Sequence, residues 1–280
     1  MGGDGNAAQR GGTPTPTGWS GRRVPVRTVL GMVFFVVAAL CGLGVVVAAL
    51  PARDWEIVAV GAVMALLFGS TFGFLVVAWS RGSGAAPTSA PWPGGGGSGV
   101  RFGYSTSAYC WFSAMLAGCV LVFGGLAVVQ GTSGGTVGRV AAVVLGGLAA
   151  LIGWFLVTML RHAPGELVLS PVGVAHRMLT GFYSVPWSAV FEVEARRLGT
   201  PVIVVKAYPA PESVLRRHTG RFDTGELRFL PFLVVRTYWL AADAETVLRA
   251  LTFYHAHPEL RDELATPAGP ARIAAGRTGA

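Results

Sequence analysis

IVAVGAVMALLFGSTFGFLVVAW is the segment Ile57–Trp79, and none of its side chains is charged. A helix needs about 20 apolar residues to cross a hydrocarbon core about 30 Å thick. Three other runs have the same character: Thr28–Leu50, Ala108–Val129 and Val140–Leu160. The sequence therefore predicts four transmembrane helices.

The lengths of the connections pair these helices into two hairpins. Pro51–Glu56 separates the first two runs, and Gln130–Arg139 separates the last two. We therefore expect one transmembrane hairpin over residues 28–79 and a second over residues 108–160. Residues 80–107 lie between them and are rich in Gly, Pro and Ser, a composition typical of a flexible linker. The first run is longer than a signal-peptide core of about 7–15 residues, so we expect it to be retained.

The composition favours a membrane protein over an ordinary soluble enzyme. Of the 280 residues, 52% are apolar and only 13% are charged, whereas soluble domains carry roughly 25% charged residues. The formal charge is +8, but basic and acidic side chains balance within residues 165–264. A nucleic-acid-binding domain would concentrate basic charge on its folded part. The expected neighbours are therefore the lipid bilayer and its anionic headgroups, not nucleic acid.

The distribution of arginine predicts the orientation in the membrane. One side of the predicted bundle carries Arg10, Arg22, Arg23, Arg27, Arg81, Arg101 and Arg161. The other side carries only Arg53 and Arg139. Because basic connections stay in the cytoplasm, both termini and residues 80–107 are expected there. The preference for Arg over Lys is typical of a GC-rich bacterial genome, so we expect a multi-pass protein of the inner (plasma) membrane. Residues 1–27 are predicted to form a disordered cytoplasmic tail.

Small residues recur at every fourth position of the second run. They are Gly61, Ala65, Gly69 and Gly73. A smooth helix face of this kind lets another backbone approach closely. The partner is either a helix of the same four-helix unit or a second copy of the chain in a homo-oligomer. The absence of Asp, Glu, Lys, Arg and His from all four runs argues against a pump or a coupled transporter.

After Arg161 the long apolar runs give way to short β-branched and aromatic stretches. The strand candidates are Glu166–Leu169, Val172–Met178, Phe182–Pro186, Phe191–Arg196, Pro201–Tyr208 and Phe232–Leu240. A helix is predicted to begin after Asp243 and to end at Pro258, with an apolar stripe of Val247, Leu248, Leu251 and Tyr254. The sequence thus predicts a sheet domain over residues 165–264, closed by one helix. Residues 265–280 are predicted to form a disordered tail.

Several short motifs of this domain resemble a known family. They are Glu166–Pro171 with Gly173, Val174 and Arg177, then Val185–Val190, and finally Leu251–Tyr254 with His257–Arg261 and Glu263–Leu264. In these motifs the chain resembles membrane-anchored PH-like domain proteins of actinobacteria. The resemblance implies a PH-like β-sandwich or barrel capped by a C-terminal helix. It also implies no catalysis, with lipid headgroups or protein segments as ligands.

Candidate binding residues lie in the irregular stretch Tyr208–Glu226. Arg216, Arg217 and Arg221 are predicted to meet anionic lipid headgroups or a membrane protein, or else to be solvated without a specific role. His255 and His257 are two residues apart, so their side chains diverge on a helix and make poor joint metal ligands. We predict no catalytic residue, no metal site and no cofactor.

The predicted fold class is an α+β membrane protein, with four transmembrane helices in two hairpins followed by a PH-like domain. The predicted function is the display of a non-catalytic binding or scaffold domain on the cytoplasmic side. The alternative is a structural subunit or a small transporter-like component, whose four-helix unit would associate with a larger membrane complex.

Overall fold

The computed structural model describes residues 26–80, 84–95, 97–162, 164–198, 200–219 and 227–279. Nearly all of the predicted N-terminal tail, residues 1–25, lies outside this part of the chain.

The predicted transmembrane helices are present, with bounds close to those expected. They are α1 (Val26–Ala49), α2 (Trp55–Trp79), α3 (Thr106–Ser133) and α4 (Gly135–His162). All four are long and apolar enough to cross a membrane. Their outward faces expose large apolar side chains such as Leu30, Leu40, Val143 and Val144. Such a surface is stable in hydrocarbon and unfavourable in water.

Two of the helices, α2 and α3, begin where a side chain caps a free backbone N–H group. Asp54 accepts a hydrogen bond from the N–H of Ile57 at 3.2 Å, which starts α2. Ser105 accepts one from the N–H of Ala108 at 3.3 Å, which starts α3. Consecutive helices pack together, so α2 lies between α1 and α3 while α4 contacts α3. The four helices thus form two linked hairpins, as predicted.

Nine antiparallel strands form two sheets in the described residues. They are β1 (Thr88–Pro91), β2 (Ser98–Gly103), β3 (Glu166–Leu169), β4 (Gly173–Arg177), β5 (Gly181–Pro186), β6 (Val190–Leu198), β7 (Thr200–Ala207), β8 (Val214–Arg217) and β9 (Leu233–Arg236). One sheet has the order β1-β2-β3-β4-β5-β8 and the other β6-β7-β9. In the described part of the chain these two sheets do not close into a barrel.

The core of this sheet domain lies between the two sheets. Leu167 and Val185 enter it from the six-stranded sheet, and Ile203 and Leu233 enter it from the other. All are 1% exposed or less. The helix α5 (Ala244–Ala256) closes the core with its predicted apolar stripe. Its N-terminus is capped as expected, because the Asp243 carboxylate accepts from the N–H of Thr246 at 3.2 Å.

The prediction of a flexible linker over residues 80–107 is wrong for Thr88–Pro91 and from Ser98 onward. β1 and β2 lie in this segment, and β2 pairs with β3 from Val100↔Leu169 to Gly103↔Glu166. Val100 is fully buried and Phe102 is 1% exposed, so both belong to the core. The physical reason is an alternation of apolar side chains at Val100, Phe102 and Tyr104, which is the period of a strand. The surrounding glycines concealed that short signal.

The prediction of a disordered C-terminal tail is also wrong over the described residues. After a 3₁₀ segment at Pro258–Ala265, the helix α6 (Ala268–Ala274) packs back onto the domain. Ile273 is 1% exposed. The guanidinium of Arg272 holds both carboxylate oxygens of Glu263, at 2.5 and 3.0 Å. One apolar anchor and one forked ion pair order a segment whose small and polar composition resembles a tail.

The helix bundle and the sheet domain share one core. Met159 near the end of α4 is 1% exposed and belongs to the same cluster as the sheet side chains. Trp239 stacks on Tyr104 with ring centroids 5.8 Å apart. Phe74 of α2 and Phe112 of α3 contact the same indole, at 5.6 and 5.4 Å. This aromatic seam fixes the domain to the end of the bundle.

Candidate functional site

A basic cleft lies where the end of α4 meets the six-stranded sheet. Its volume is about 280 Å³. Five of its lining side chains are basic or titratable: Arg161, His162, Arg177, Arg216 and His218. Pro93 and Phe182 form its apolar wall. The site therefore combines positive charge with a small apolar surface.

The fold brings together residues that are distant in sequence. Arg161 and His162 are the last two residues of α4. Arg177 ends β4, and Arg216 lies on β8 opposite Phe182 of β5. The backbone N–H of His218 donates to the carbonyl of Thr180 at 2.9 Å, which holds the residue after β8 against the sheet.

Two histidines line the cleft together with the arginines. The imidazole rings of His162 and His218 stack with centroids 4.1 Å apart and an interplanar angle of 12°. A ring nitrogen of His162 is bonded to the carbonyl of Thr158 at 2.9 Å. Burial lowers the pKa of His218, and the charges of His162, Arg177 and Arg216 lower it further. The cleft thus has a positive potential that disfavours one more positive charge.

The three guanidinium groups differ in how they are neutralised. Arg177 pairs with the carboxylate of Glu166 at 3.2 Å, and Arg101 pairs with the same carboxylate at 2.7 Å. Among the residues that the structure describes, no carboxylate lies within ion-pair distance of Arg161 or Arg216. Those two arginines are exposed and available to an anion.

The structure describes two of the three arginines that the sequence grouped, Arg216 and Arg217, and places them differently. The stretch Tyr208–Glu226 is not wholly irregular, because β8 occupies Val214–Arg217 and pairs with β5. Arg216 lines the cleft, but Arg217, the next residue along the strand, does not. Arg221 lies outside the described residues.

Sequence reasoning missed Arg161, His162 and Arg177 as members of the site. The basic pair at the end of the fourth apolar run was a usable signal, because basic residues at a helix end meet headgroups. Arg177 gave no such signal, since only strand pairing places it beside α4.

The small residues of α2 pack against other helices of the same chain. A Cβ atom on Gly61 would lie 2.8 Å from the carbonyl oxygen of Gly42, and one on Gly73 would meet the Trp111 ring at 2.5 Å. Gly69 is looser, with the Ala39 methyl 3.9 Å from its added Cβ. Ala65 lies at the same crossing, because its backbone nitrogen is 2.8 Å from a Cβ built on Gly42. Packing within the bundle therefore accounts for the face Gly61, Ala65, Gly69 and Gly73.

The histidines outside the cleft make structural hydrogen bonds. His255 is bonded to the carbonyl of Val190 at 3.1 Å, and His257 to that of Phe253 at 2.9 Å. His176 is fully buried, and its Nε2 lies 2.6 Å from the Tyr104 hydroxyl. Burial lowers the pKa of His176 to about 3, so this imidazole is neutral at pH 7.

Comparisons with protein-family models, with curated proteins and with solved structures gave no match. The function is therefore argued from the cleft and from its position in the fold.

Proposed function

We propose that this chain is a non-catalytic protein of the bacterial inner membrane that holds a PH-like binding or scaffold domain on its cytoplasmic side. The observation that carries the proposal is the pairing of β2 with β3. β2 connects α2 to α3, while β3 follows α4. Both connections therefore end in one sheet at one end of the bundle.

Fixed geometry gives such a domain a use. The aromatic seam packs Trp239 against α2 and α3. The domain is therefore fixed at the end of the helix bundle and is not attached through a flexible linker. A binding surface held there meets membrane-bound partners at a high effective concentration. Rigid attachment also avoids the ordering cost that a flexible tether adds to binding.

The PH-like assignment is supported by two antiparallel sheets with α5 lying against their shared core. Binding is favoured over catalysis by the composition of the cleft. Arginine stays protonated at all physiological pH values, so it binds anions but does not act as a base or nucleophile. The three arginines of the cleft are thus suited to holding an anion in place.

The cytoplasmic orientation is supported by the placement of basic residues. Arg101, Arg161 and Arg177 lie at the sheet end of the bundle, while Arg53 and Arg139 lie at the other end. The basic sheet end thus follows the rule that places positive connections inside.

Labelling of single cysteines tests the proposed placement. The native Cys41, Cys110 and Cys119 are first replaced by alanine. Ala52→Cys between α1 and α2 and Gly135→Cys at the start of α4 are expected to react with a membrane-impermeant maleimide on intact spheroplasts. Glu212→Cys in the sheet domain is expected to react only after permeabilisation. Reaction of Glu212→Cys from outside would overturn the orientation.

The alternative function, a subunit of a larger membrane complex, relied on the small-residue face of α2. That face is covered by α1 and α3, because Gly61 packs against Gly42 of α1 and Gly73 packs against Trp111 of α3. The cleft, in contrast, is open and charged. We therefore favour the binding domain.

A further inference from the structure

We propose that the basic cleft binds a phosphate group, carried either by an anionic glycerophospholipid of the adjacent leaflet or by a soluble phosphate ester. This inference rests on the proposed membrane placement and adds the chemistry of the ligand. It is carried by the convergence of Arg161, Arg216 and Arg177 on one cleft.

The charge of the cleft favours an anion as its ligand. Arg161 and Arg216 have no carboxylate partner among the described residues, and Arg177 shares Glu166 with Arg101. The basic cluster is therefore undercompensated, and an anion that enters the cleft relieves the repulsion between its members. Phosphate suits this position because guanidinium groups bind its oxygens in forked pairs.

The position of the cleft along α4 determines its depth in the membrane. Arg161 and His162 end α4, which is long and apolar enough to cross a membrane, so the proposed placement puts them where this helix would leave the hydrocarbon. The cleft consequently lies at the level of lipid headgroups. An exposed cation at this level is attracted by an anionic leaflet, and the convergence of several on one cleft adds specificity for a single headgroup.

The volume of the cleft limits the size of its ligand. Ligand pockets range from about 300 to 1,000 Å³, and this cleft holds about 280 Å³. It has room for a headgroup or a small phosphate ester, with Phe182 and Pro93 against the less polar part. It is too small for a whole lipid, whose acyl chains would stay in the bilayer.

The experiment uses the full chain in an uncharged detergent. Native mass spectrometry counts the lipid retained after incubation with phosphatidylglycerol or with phosphatidylcholine. In a second arm, broadening of the ³¹P signal of glycerol 3-phosphate reports binding of the soluble ester. The test variants are R216Q and the double variant R161Q/R216Q. The matched control is R217Q, which removes the neighbouring charge on β8 without touching the cleft.

Retention of phosphatidylglycerol over phosphatidylcholine is expected for the unmodified chain and for R217Q. A loss of at least tenfold is expected for R161Q/R216Q, with a smaller loss for R216Q; this pattern supports the lipid as source. If only glycerol 3-phosphate binds, with the same dependence on Arg161 and Arg216, the phosphate site stands and its ligand is soluble.

If neither ligand binds, or if R217Q and R216Q weaken binding equally, the proposal is overturned. Both test residues are exposed, so ligand-free variants should unfold at the temperature of the unmodified chain. A misplaced domain would instead show in the cysteine labelling, which keeps a failure of this inference distinct from a failure of the proposed function.

Discussion

Two of the interfaces made by the helices differ in the size of the residues that form them. Where α1 crosses α2, Gly42 and Gly61 bring the two backbones into direct contact. At the seam with the sheet domain, α2 and α3 instead contribute the rings of Phe74 and Phe112, which surround Trp239. The first interface has glycine at its closest point, and the second consists of large aromatic side chains.

The difference follows from what each interface would meet if it opened. Helices inside a bilayer gain little from burying apolar side chains, because lipid is equally apolar, so close backbone approach and dispersion hold them together. The seam lies at the end of the bundle, where opening would expose aromatic rings to water. There the hydrophobic effect stabilises the contact in proportion to the area buried.

The largest effect is expected from breaking the seam. Trp239→Ala removes an indole that is 4% exposed and contacts both the bundle and Tyr104. Substitutions of a buried tryptophan by alanine lower the free energy of unfolding by about 3–5 kcal/mol. The full chain is unfolded with denaturant in detergent while circular dichroism monitors the sheet signal. The midpoint of this transition is expected to fall to a lower denaturant concentration in the variant.

Trp55→Ala is the matched control for this substitution. Trp55 begins α2 and is 66% exposed, so its removal is expected to leave the midpoint nearly unchanged in detergent. Equal midpoints for the two variants would contradict the view that the aromatic seam stabilises the domain.

A smaller effect is expected from the glycine crossing. Gly42→Leu places a side chain where even a Cβ atom would lie 2.8 Å from the backbone of α2. Overpacking of this kind lowers the free energy of unfolding by about 1–3 kcal/mol, and by more where two backbones must move apart. Resistance of the helical signal to increasing mole fractions of sodium dodecyl sulfate measures the loss.

Gly44→Leu makes the same chemical change two residues further along α1. A Cβ atom on Gly44 meets nothing within 4 Å, so this variant is expected to resist the detergent like the unmodified chain. If both variants lose equal stability, helix composition and not close approach sets the strength of the crossing.

The contrast also explains which parts of the fold could be predicted from the sequence. The four helices follow from apolar length alone, and β3, β5 and β7 follow from short β-branched runs between breaks. Asp243 marks the start of α5 because its carboxylate caps the first turn. These signals are local, so no knowledge of the partner element is needed to detect them.

The missed elements depend on a partner. β2 has six residues, of which two are glycines, and its apolar side chains gain a core only when β3 arrives from beyond α4. The residues of the cleft likewise could be predicted only where the signal was local. Arg216 was detectable as part of a basic run, whereas Arg177 joins the cleft solely through the antiparallel register of β4 and β5.

The smallest expected effect is the pH response, between pH 6.5 and 5, of a buried histidine beside the seam. The buried His176 is bonded to Tyr104, which stacks on Trp239. The pKa of His176 is about 3 in the folded protein, against 6.5 for an ordinary histidine. Below pH 6.5 the unfolded chain therefore binds a proton that the folded chain excludes. Stability is full above pH 6.5 and falls as the pH drops toward 3, by up to about 1.4 kcal/mol per pH unit.

The double variant Tyr104→Phe with His176→Leu tests this response, since it removes the imidazole together with the hydroxyl that is bonded to it. Between pH 6.5 and 5 the unmodified chain is expected to lose about 2 kcal/mol more than the variant. His218, whose pKa burial also lowers, contributes to both proteins in the same direction and cancels in the difference. The glycine crossing has no titratable group at its centre, so resistance to sodium dodecyl sulfate should not change over this range. Equal pH slopes for the two proteins would show that His176 is not held neutral beside the seam.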